Sequence, residues 1–109
     1  MMKHEVIRKQ GASIVVLKGD IDLESSPAAR EVLLKSVEGV GKVLVDLSSV
    51  TYIDSSGVAS LVEALQSAKR NGGNFALVAA SDPTRRVLEL ARLDKVFTMY
   101  STVEEGMKA

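Results

Sequence analysis

The chain has 109 residues, of which 46% are hydrophobic and 26% are charged, which is enough for one compact domain with its own core. Fourteen basic residues balance fourteen acidic ones and there is no Cys, so the composition favours neither nucleic-acid binding nor disulfides nor thiolate metal sites. No apolar stretch reaches the roughly 18 residues of a bilayer span, so we expect a cytoplasmic protein with a single domain over residues 1–109, without cofactor or direct membrane insertion.

The first elements in the chain are two short strands. Residues 6–8 and 14–17 are rich in Val and Ile, and a short connection that contains Gly separates them. This spacing predicts an antiparallel hairpin. The following segment, Gly19-Asp20-Ile21-Asp22-Leu23, is predicted to end the second strand and pass into a loop.

A helix and a central strand follow. Ser26 followed by Pro27 predicts a helix start with Ser26 as the cap, and Gly39 predicts its end. Residues 43–47 are apolar at successive positions, except for Asp46, which is typical of a parallel strand buried on both faces.

The second half of the chain alternates helices and strands. The first predicted element is a helix with the apolar face Val58, Leu61, Val62 and Leu65, followed by a strand over 75–79. Asp82-Pro83 predicts the start of the next helix, whose apolar face is Val87, Leu88, Leu90 and Ala91. A strand over 96–99 comes next, and capping-box spacing over 101–104 predicts the start of a last helix. This order predicts an α/β fold whose mixed, mostly parallel β-sheet has an N-terminal antiparallel hairpin and about four helices.

One segment carries candidate chemistry. Residues 46–57 are interpreted as a loop that joins the central strand to a helix beginning around Asp54, Ser55, Ser56 and Gly57. These residue types cap a helix and permit a tight turn without any further role. They also place an exposed hydroxyl at a helix N-terminus, available for phosphorylation.

Two catalytic interpretations of the same segment are excluded. A serine-hydrolase elbow needs Gly two residues before the nucleophile and a His partner, whereas Asp54 precedes Ser56 at that spacing and the only His is His4. The glycine-rich patterns of phosphate-binding loops do not occur either. We therefore expect no catalytic residue and no metal site.

The stretch Asp46-Leu47-Ser48, followed by Tyr52-Ile53-Asp54-Ser55-Ser56-Gly57, resembles the signature of STAS domains of the bacterial anti-anti-sigma factor (anti-sigma factor antagonist) type. The turn Gly19-Asp20-Ile21-Asp22 resembles the turn of that family, and Tyr52 stands where the family often has Phe. The resemblance extends over essentially the whole chain in length and element order. It implies a STAS-type sandwich that regulates other proteins and is not an enzyme.

The resemblance also implies partners and a switch. Members of the family bind an anti-sigma factor, which is a GHKL-type serine kinase, and so free a sigma factor. The kinase phosphorylates the second Ser of the motif, here Ser56, with Ser55 as the second choice, and the modified protein dissociates until a metal-dependent serine phosphatase resets it. The implied partner-binding residues are Asp20, Asp22, Asp54, Ser55, Ser56 and Gly57.

Other interpretations stay open. Asp20 and Asp22 are also ordinary turn-forming residues. A non-phosphorylated STAS accessory subunit of a membrane lipid-transport or signalling complex would use the same surface for constitutive docking. A sensor of a nucleotide or another small molecule would need a preformed pocket.

Overall fold

The computed structural model describes residues 2–39 and 41–109. Its elements in chain order are β1 (Lys3–Lys9), β2 (Ala12–Ile21), α1 (Ser26–Glu38), β3 (Lys42–Ile53), α2 (Ser55–Arg70), β4 (Asn74–Val78), α3 (Asp82–Leu90), β5 (Thr98–Tyr100) and α4 (Val103–Lys108). Within the described ranges, one sheet holds the strands in the order β1-β2-β3-β4-β5, with β1 antiparallel to β2 and the other pairs parallel. The predicted architecture is confirmed.

Helices cover the two faces of the sheet unequally. Val43 and Val45 of β3 belong to the larger core, in which residues of α1, α2 and α3 pack on one face. Leu44, between them in sequence, lies in a smaller cluster on the other face, against Val103 and Met107 of α4. This alternation is the period of two that a pleated strand imposes, and it makes β3 a strand buried on both faces.

The central strand is longer than predicted. The expectation of a loop from residue 46 was wrong, because β3 continues to Ile53. β2 continues alongside it to Ile21, and the pairing of the two strands contains register shifts between Val16 and Lys18 and between Gly19 and Asp20. The β-branched and aromatic residues over 50–53 suit a strand once such a partner is beside them.

Three predicted helix caps are displaced by one residue. α1 has Ser25 rather than Ser26 at its N-cap, and the Ser25 side chain makes no capping hydrogen bond. α3 is capped by Ser81 rather than Asp82, and α4 by Thr102 rather than Ser101. The two proline-marked starts were misplaced because proline is tolerated throughout the first helical turn, where backbone N–H groups lack helical partners.

The last two predicted elements also need correction. Leu88 of α3 is fully buried, but Leu90, which was predicted to share its face, is 79% exposed. Ala91 is exposed too, because α3 ends at Leu90 and Ala91 is its C-cap. β5 is Thr98–Tyr100 instead of 96–99, and Phe97 packs into the larger core just before it.

Candidate functional site

Asp54 organises the start of α2. Its backbone is extended, and its carboxylate Oδ1 accepts hydrogen bonds from the Ser56 N–H at 3.0 Å and the Gly57 N–H at 3.3 Å. The same oxygen accepts a hydrogen bond from the Ser56 hydroxyl at 2.5 Å. This hydroxyl, ahead of the backbone donors, lowers the pKa of Asp54, so the carboxylate is ionised at neutral pH.

The paired ends of β2 and β3 hold this helix start in place. Ile21 and Ile53 are register partners on the two parallel strands, and the Asp54 N–H donates to the Ile21 carbonyl at 3.2 Å. A Cβ on Gly57 would lie 2.8 Å from that carbonyl oxygen, so a larger residue would force the helix away from the strands. The Gly of the motif is needed for this close approach.

The two serines of the motif differ in exposure. Ser55 is exposed, whereas Ser56 is half-buried. The Ser56 carbonyl accepts a hydrogen bond from the Ser60 hydroxyl at 3.2 Å, one turn further along α2. The Ser56 hydroxyl is thus at the surface but not fully open as the sequence suggested, because it turns back to the Asp54 carboxylate.

Asp22 shapes the neighbouring loop. Its Oδ1 accepts hydrogen bonds from the Glu24 N–H at 3.1 Å, the Ser25 N–H at 3.0 Å and the Ser25 hydroxyl at 3.1 Å. The Ser25 backbone and side chain, in that order, lower the pKa of Asp22. The turn-forming interpretation of Asp22 is therefore correct, and it leaves a second ionised carboxylate in the loop next to the helix start.

The topology brings Asp22 and Asp54 to the same edge of the sheet. Each follows one member of the register pair Ile21 and Ile53, and neighbouring strands lie about 4.8 Å apart. The Leu23 backbone also faces the Asp54 carboxylate and contributes to its lowered pKa. The β2–α1 loop and the start of α2 thus form one continuous surface at the carboxyl ends of the strands.

Asp20 has a different environment. Its Oδ1 accepts a hydrogen bond from the Thr51 hydroxyl at 2.6 Å, and its backbone carbonyl accepts one from the Ser25 hydroxyl at 2.8 Å. Asp20 therefore ties β2 to β3 and to the loop, and the structure gives it no hydrogen bond to Ser56.

Two residues of this surface, Thr51 and Leu23, were not predicted as site residues from the sequence. Thr51 was included in the supposed loop, and only the register of β2 on β3 reveals its bond to Asp20. Leu23 is 78% exposed in the β2–α1 loop. Its position as a single apolar residue between Asp22 and Glu24 was the sequence signal that could have indicated an exposed apolar side chain here.

Away from this surface, the described residues form a cleft but no cluster of metal-ligating side chains. A cleft of about 460 Å³ lies at the N-terminal ends of β2 and β3, where Ser13, Ser36 and Lys42 are among its lining residues. A ligand there would be at the end of the sheet opposite Ser56. Over residues 2–39 and 41–109, no three His, Cys, Asp or Glu side chains are grouped as a metal site would require.

Within residues 2–39 and 41–109, no helix combines the length and the hydrophobicity needed to cross a membrane.

The chain is similar to known proteins over most of its length. A family model described as "STAS domain" matches residues 3–106. A Thermotoga maritima protein with the name "Putative anti-sigma factor antagonist" is 38% identical over 71 residues. These residues cover 65% of this chain and 63% of that relative, less than two thirds of its length. The anti-sigma-B factor antagonist of Bacillus subtilis is 28% identical over 94 residues, or 86% of each chain.

A solved structure gives the same result. The crystal structure of an anti-sigma factor antagonist from Mycobacterium paratuberculosis superimposes with a TM-score of 0.89 at 28% identity, covering 99% of this chain and 92% of that one. The chain therefore belongs to the STAS domain family, and the relatives described here carry names of anti-sigma factor antagonists.

Proposed function

We propose that this chain is an anti-sigma factor antagonist in the cytoplasm whose partner binding is controlled by phosphorylation of Ser56. The proposed partner is an anti-sigma factor that is also a GHKL-type serine kinase, and a metal-dependent serine phosphatase removes the phosphate. The observation that carries the proposal is the position of the Ser56 hydroxyl, at the N-terminus of α2 and half-buried beside the Asp54 carboxylate. The names of the relatives support the anti-sigma factor partner.

The fold can accept a phosphate at this position. A phosphoserine carries about −1.5 to −2 charges at neutral pH. The N-terminus of a helix favours an anion through its dipole. In α2 the Ser56 and Gly57 N–H groups already bind Asp54, so the dipole is the favourable contribution here. α2 is 16 residues long, and Ser56 lies in its first turn. We therefore expect phosphorylation to leave the backbone of the domain nearly unchanged.

The same phosphate opposes binding of a partner. Asp22 and Asp54 are ionised at neutral pH because hydrogen bonds lower the pKa of each, so the new dianion would share a surface with two carboxylates. A partner that covers this surface must desolvate the dianion and accommodate the added charge. We expect the affinity to fall on the order of a hundredfold, because each 1.4 kcal/mol is about tenfold.

The test uses the purified chain with ATP and a GHKL-type anti-sigma factor from the same genome. Phosphate should be incorporated once per chain and map to Ser56, and Ser56→Ala should abolish incorporation while keeping partner affinity within about twofold. Ser56→Asp should stay folded and lose affinity. Ser55→Ala, one residue away, is the matched control and should incorporate phosphate.

Three results would contradict the proposal. Label that persists in Ser56→Ala would move the acceptor to Ser55 or another hydroxyl. Unchanged affinity of Ser56→Asp would remove the charge-based switch. A partner that binds the chain constitutively but never phosphorylates it in the presence of ATP would favour the alternative, a non-phosphorylated accessory subunit of a membrane lipid-transport or signalling complex.

A further inference from the structure

The hydrogen bond of the Ser56 hydroxyl is short and directed to a single group. The Ser56 Oγ donates to Asp54 Oδ1 at 2.5 Å, which is in the range of a charge-assisted O–H···O⁻ bond. A hydroxyl has one proton, so this contact fixes the side-chain orientation and leaves the oxygen lone pairs free to point elsewhere.

The neighbouring Ser25 has a different set of hydrogen bonds. The Ser25 hydroxyl also lies near a carboxylate, at 3.1 Å from Asp22 Oδ1, but it is closer to the Asp20 backbone carbonyl, at 2.8 Å. The Ser25 Oγ also accepts a hydrogen bond from the Asp22 N–H at 2.9 Å. Ser25 thus contacts three groups and holds its loop together, whereas within the described residues the Ser56 hydroxyl donates to the Asp54 carboxylate alone.

We infer that Asp54 is a catalytic residue supplied by the substrate protein itself, which accepts the proton of Ser56 during phosphoryl transfer; this inference rests on the proposed phosphorylation. The Ser56 Oγ forms a bond to the γ-phosphorus of ATP, and the bond between that phosphorus and the β–γ bridging oxygen breaks. ADP leaves with the electron pair of the broken bond. The hydroxyl proton passes to Asp54 Oδ1 and then to water.

The geometry suits such a step. The Ser56 and Gly57 N–H groups also bind Asp54 Oδ1, so the acceptor is fixed in place and stays ionised before the reaction. Those donors make the Asp54 carboxylate a weak base. The transition state of phosphoryl transfer is loose, so the proton needs to leave Ser56 only as the new O–P bond forms, and a weak base is sufficient. General-base catalysis contributes about 10²–10⁴-fold, and a weak base is expected to give the lower part of that range.

The first experiment measures the rate at which the GHKL-type anti-sigma factor from the same genome phosphorylates the chain. Asp54→Asn should lower kcat by about tenfold to a hundredfold and leave KM within about threefold, because Asn still caps a helix but cannot take the proton. Glu24→Gln is the control, since it removes a carboxylate from the adjacent exposed loop. An Asp54→Asn protein with the kcat of the wild type would overturn the inference.

The second experiment needs no kinase. Ser56→Cys places a thiol at the same atom position, and its pKa is obtained from the pH dependence of its alkylation by iodoacetamide. The pKa should be about one unit higher than in the double variant Ser56→Cys/Asp54→Asn, because a neighbouring carboxylate disfavours the thiolate. Equal pKa values in the two variants would overturn the inference whether or not a kinase acts.

The two experiments separate the two proposals. If the wild-type chain is phosphorylated but Asp54→Asn reacts equally fast, the role of Asp54 fails and the proposed function stands. If the thiol shift is present but the kinase does not phosphorylate the wild-type chain, the proposed function is overturned, and the proton transfer falls with it.

Discussion

Gly57 lies against Ile21 so closely that a Cβ added to the glycine would be 2.8 Å from both the carbonyl oxygen and the Cγ2 of Ile21. It would also be 2.7 Å from the Cγ1 of Ile53. The two isoleucines are register partners at the ends of neighbouring parallel strands. The first turn of α2, with the candidate phosphorylation site, is thereby seated directly on the sheet.

Gly57→Ala should destabilise the protein by about 1 to 3 kcal/mol, because the methyl group overpacks a site with a backbone carbonyl on one side. Urea denaturation gives the free energy of unfolding. Gly39→Ala is the matched control, since an added Cβ there meets no described heavy atom within 4 Å and its φ is −75°. The control should be unchanged or gain up to about 1 kcal/mol. A Gly57→Ala protein as stable as the wild type would contradict the close approach.

The stability that Asp54 provides should depend on pH. Its pKa is lowered in the folded state, first by the Ser56 hydroxyl, so the ionised carboxylate favours folding above the unfolded value of about 3.9. That contribution is lost as the pH falls through the lowered folded pKa. Asp54→Asn should be less stable than the wild type at neutral pH, and the difference should shrink in acid.

Urea denaturation of both proteins from neutral pH to about pH 3 checks this expectation. A stability difference that stays constant over the whole range would show that the charge of Asp54 is not what favours the fold.

Truncation to Ala should lower the stability of the protein strongly at Leu88 of α3 and hardly at all at Leu90. Leu88 is 0% exposed and Leu90 is 79% exposed, although they are two residues apart. Leu88→Ala should cost about 2 to 5 kcal/mol because it removes buried methyl groups and leaves a cavity. Leu90→Ala should change stability by less than about 0.5 kcal/mol. Thermal unfolding of the two variants measures both effects, and comparable losses would place Leu90 in the core after all.

Lys42 should hold the end of α4. Its Nζ donates to the carbonyl of Gly106 at 2.9 Å and to that of Met107 at 3.2 Å. These carbonyls lie in the last turn of the helix, where a cation is favourable. Lys42→Met should lower stability by about 1 to 2 kcal/mol and speed hydrogen exchange of the α4 amides. Lys69→Met, an exposed change on α2, should leave that exchange unaltered, and slow α4 exchange in Lys42→Met would contradict the tie.

Local signals account for what could be predicted of the fold. Apolar spacing identified the strands and helices in their correct order, because each pattern is complete within about ten residues. Asp54 was recognised at the start of α2 for the same reason, since a cap and its N–H donors are only two or three residues apart. Caps marked by proline were misplaced by one residue, since proline fits more than one position in the first turn.

The element order, the two-sided burial of the central strand and the Ser at the start of α2 could be predicted from the residues alone. Three features could not be predicted and appear only in the folded chain: β3 runs on to Ile53, Thr51 binds Asp20 across 31 positions, and Gly57 packs against Ile21. These features depend on β2 lying beside β3 with a shifted register. No local pattern encodes such a register, because it results from packing between residues that are distant in the chain.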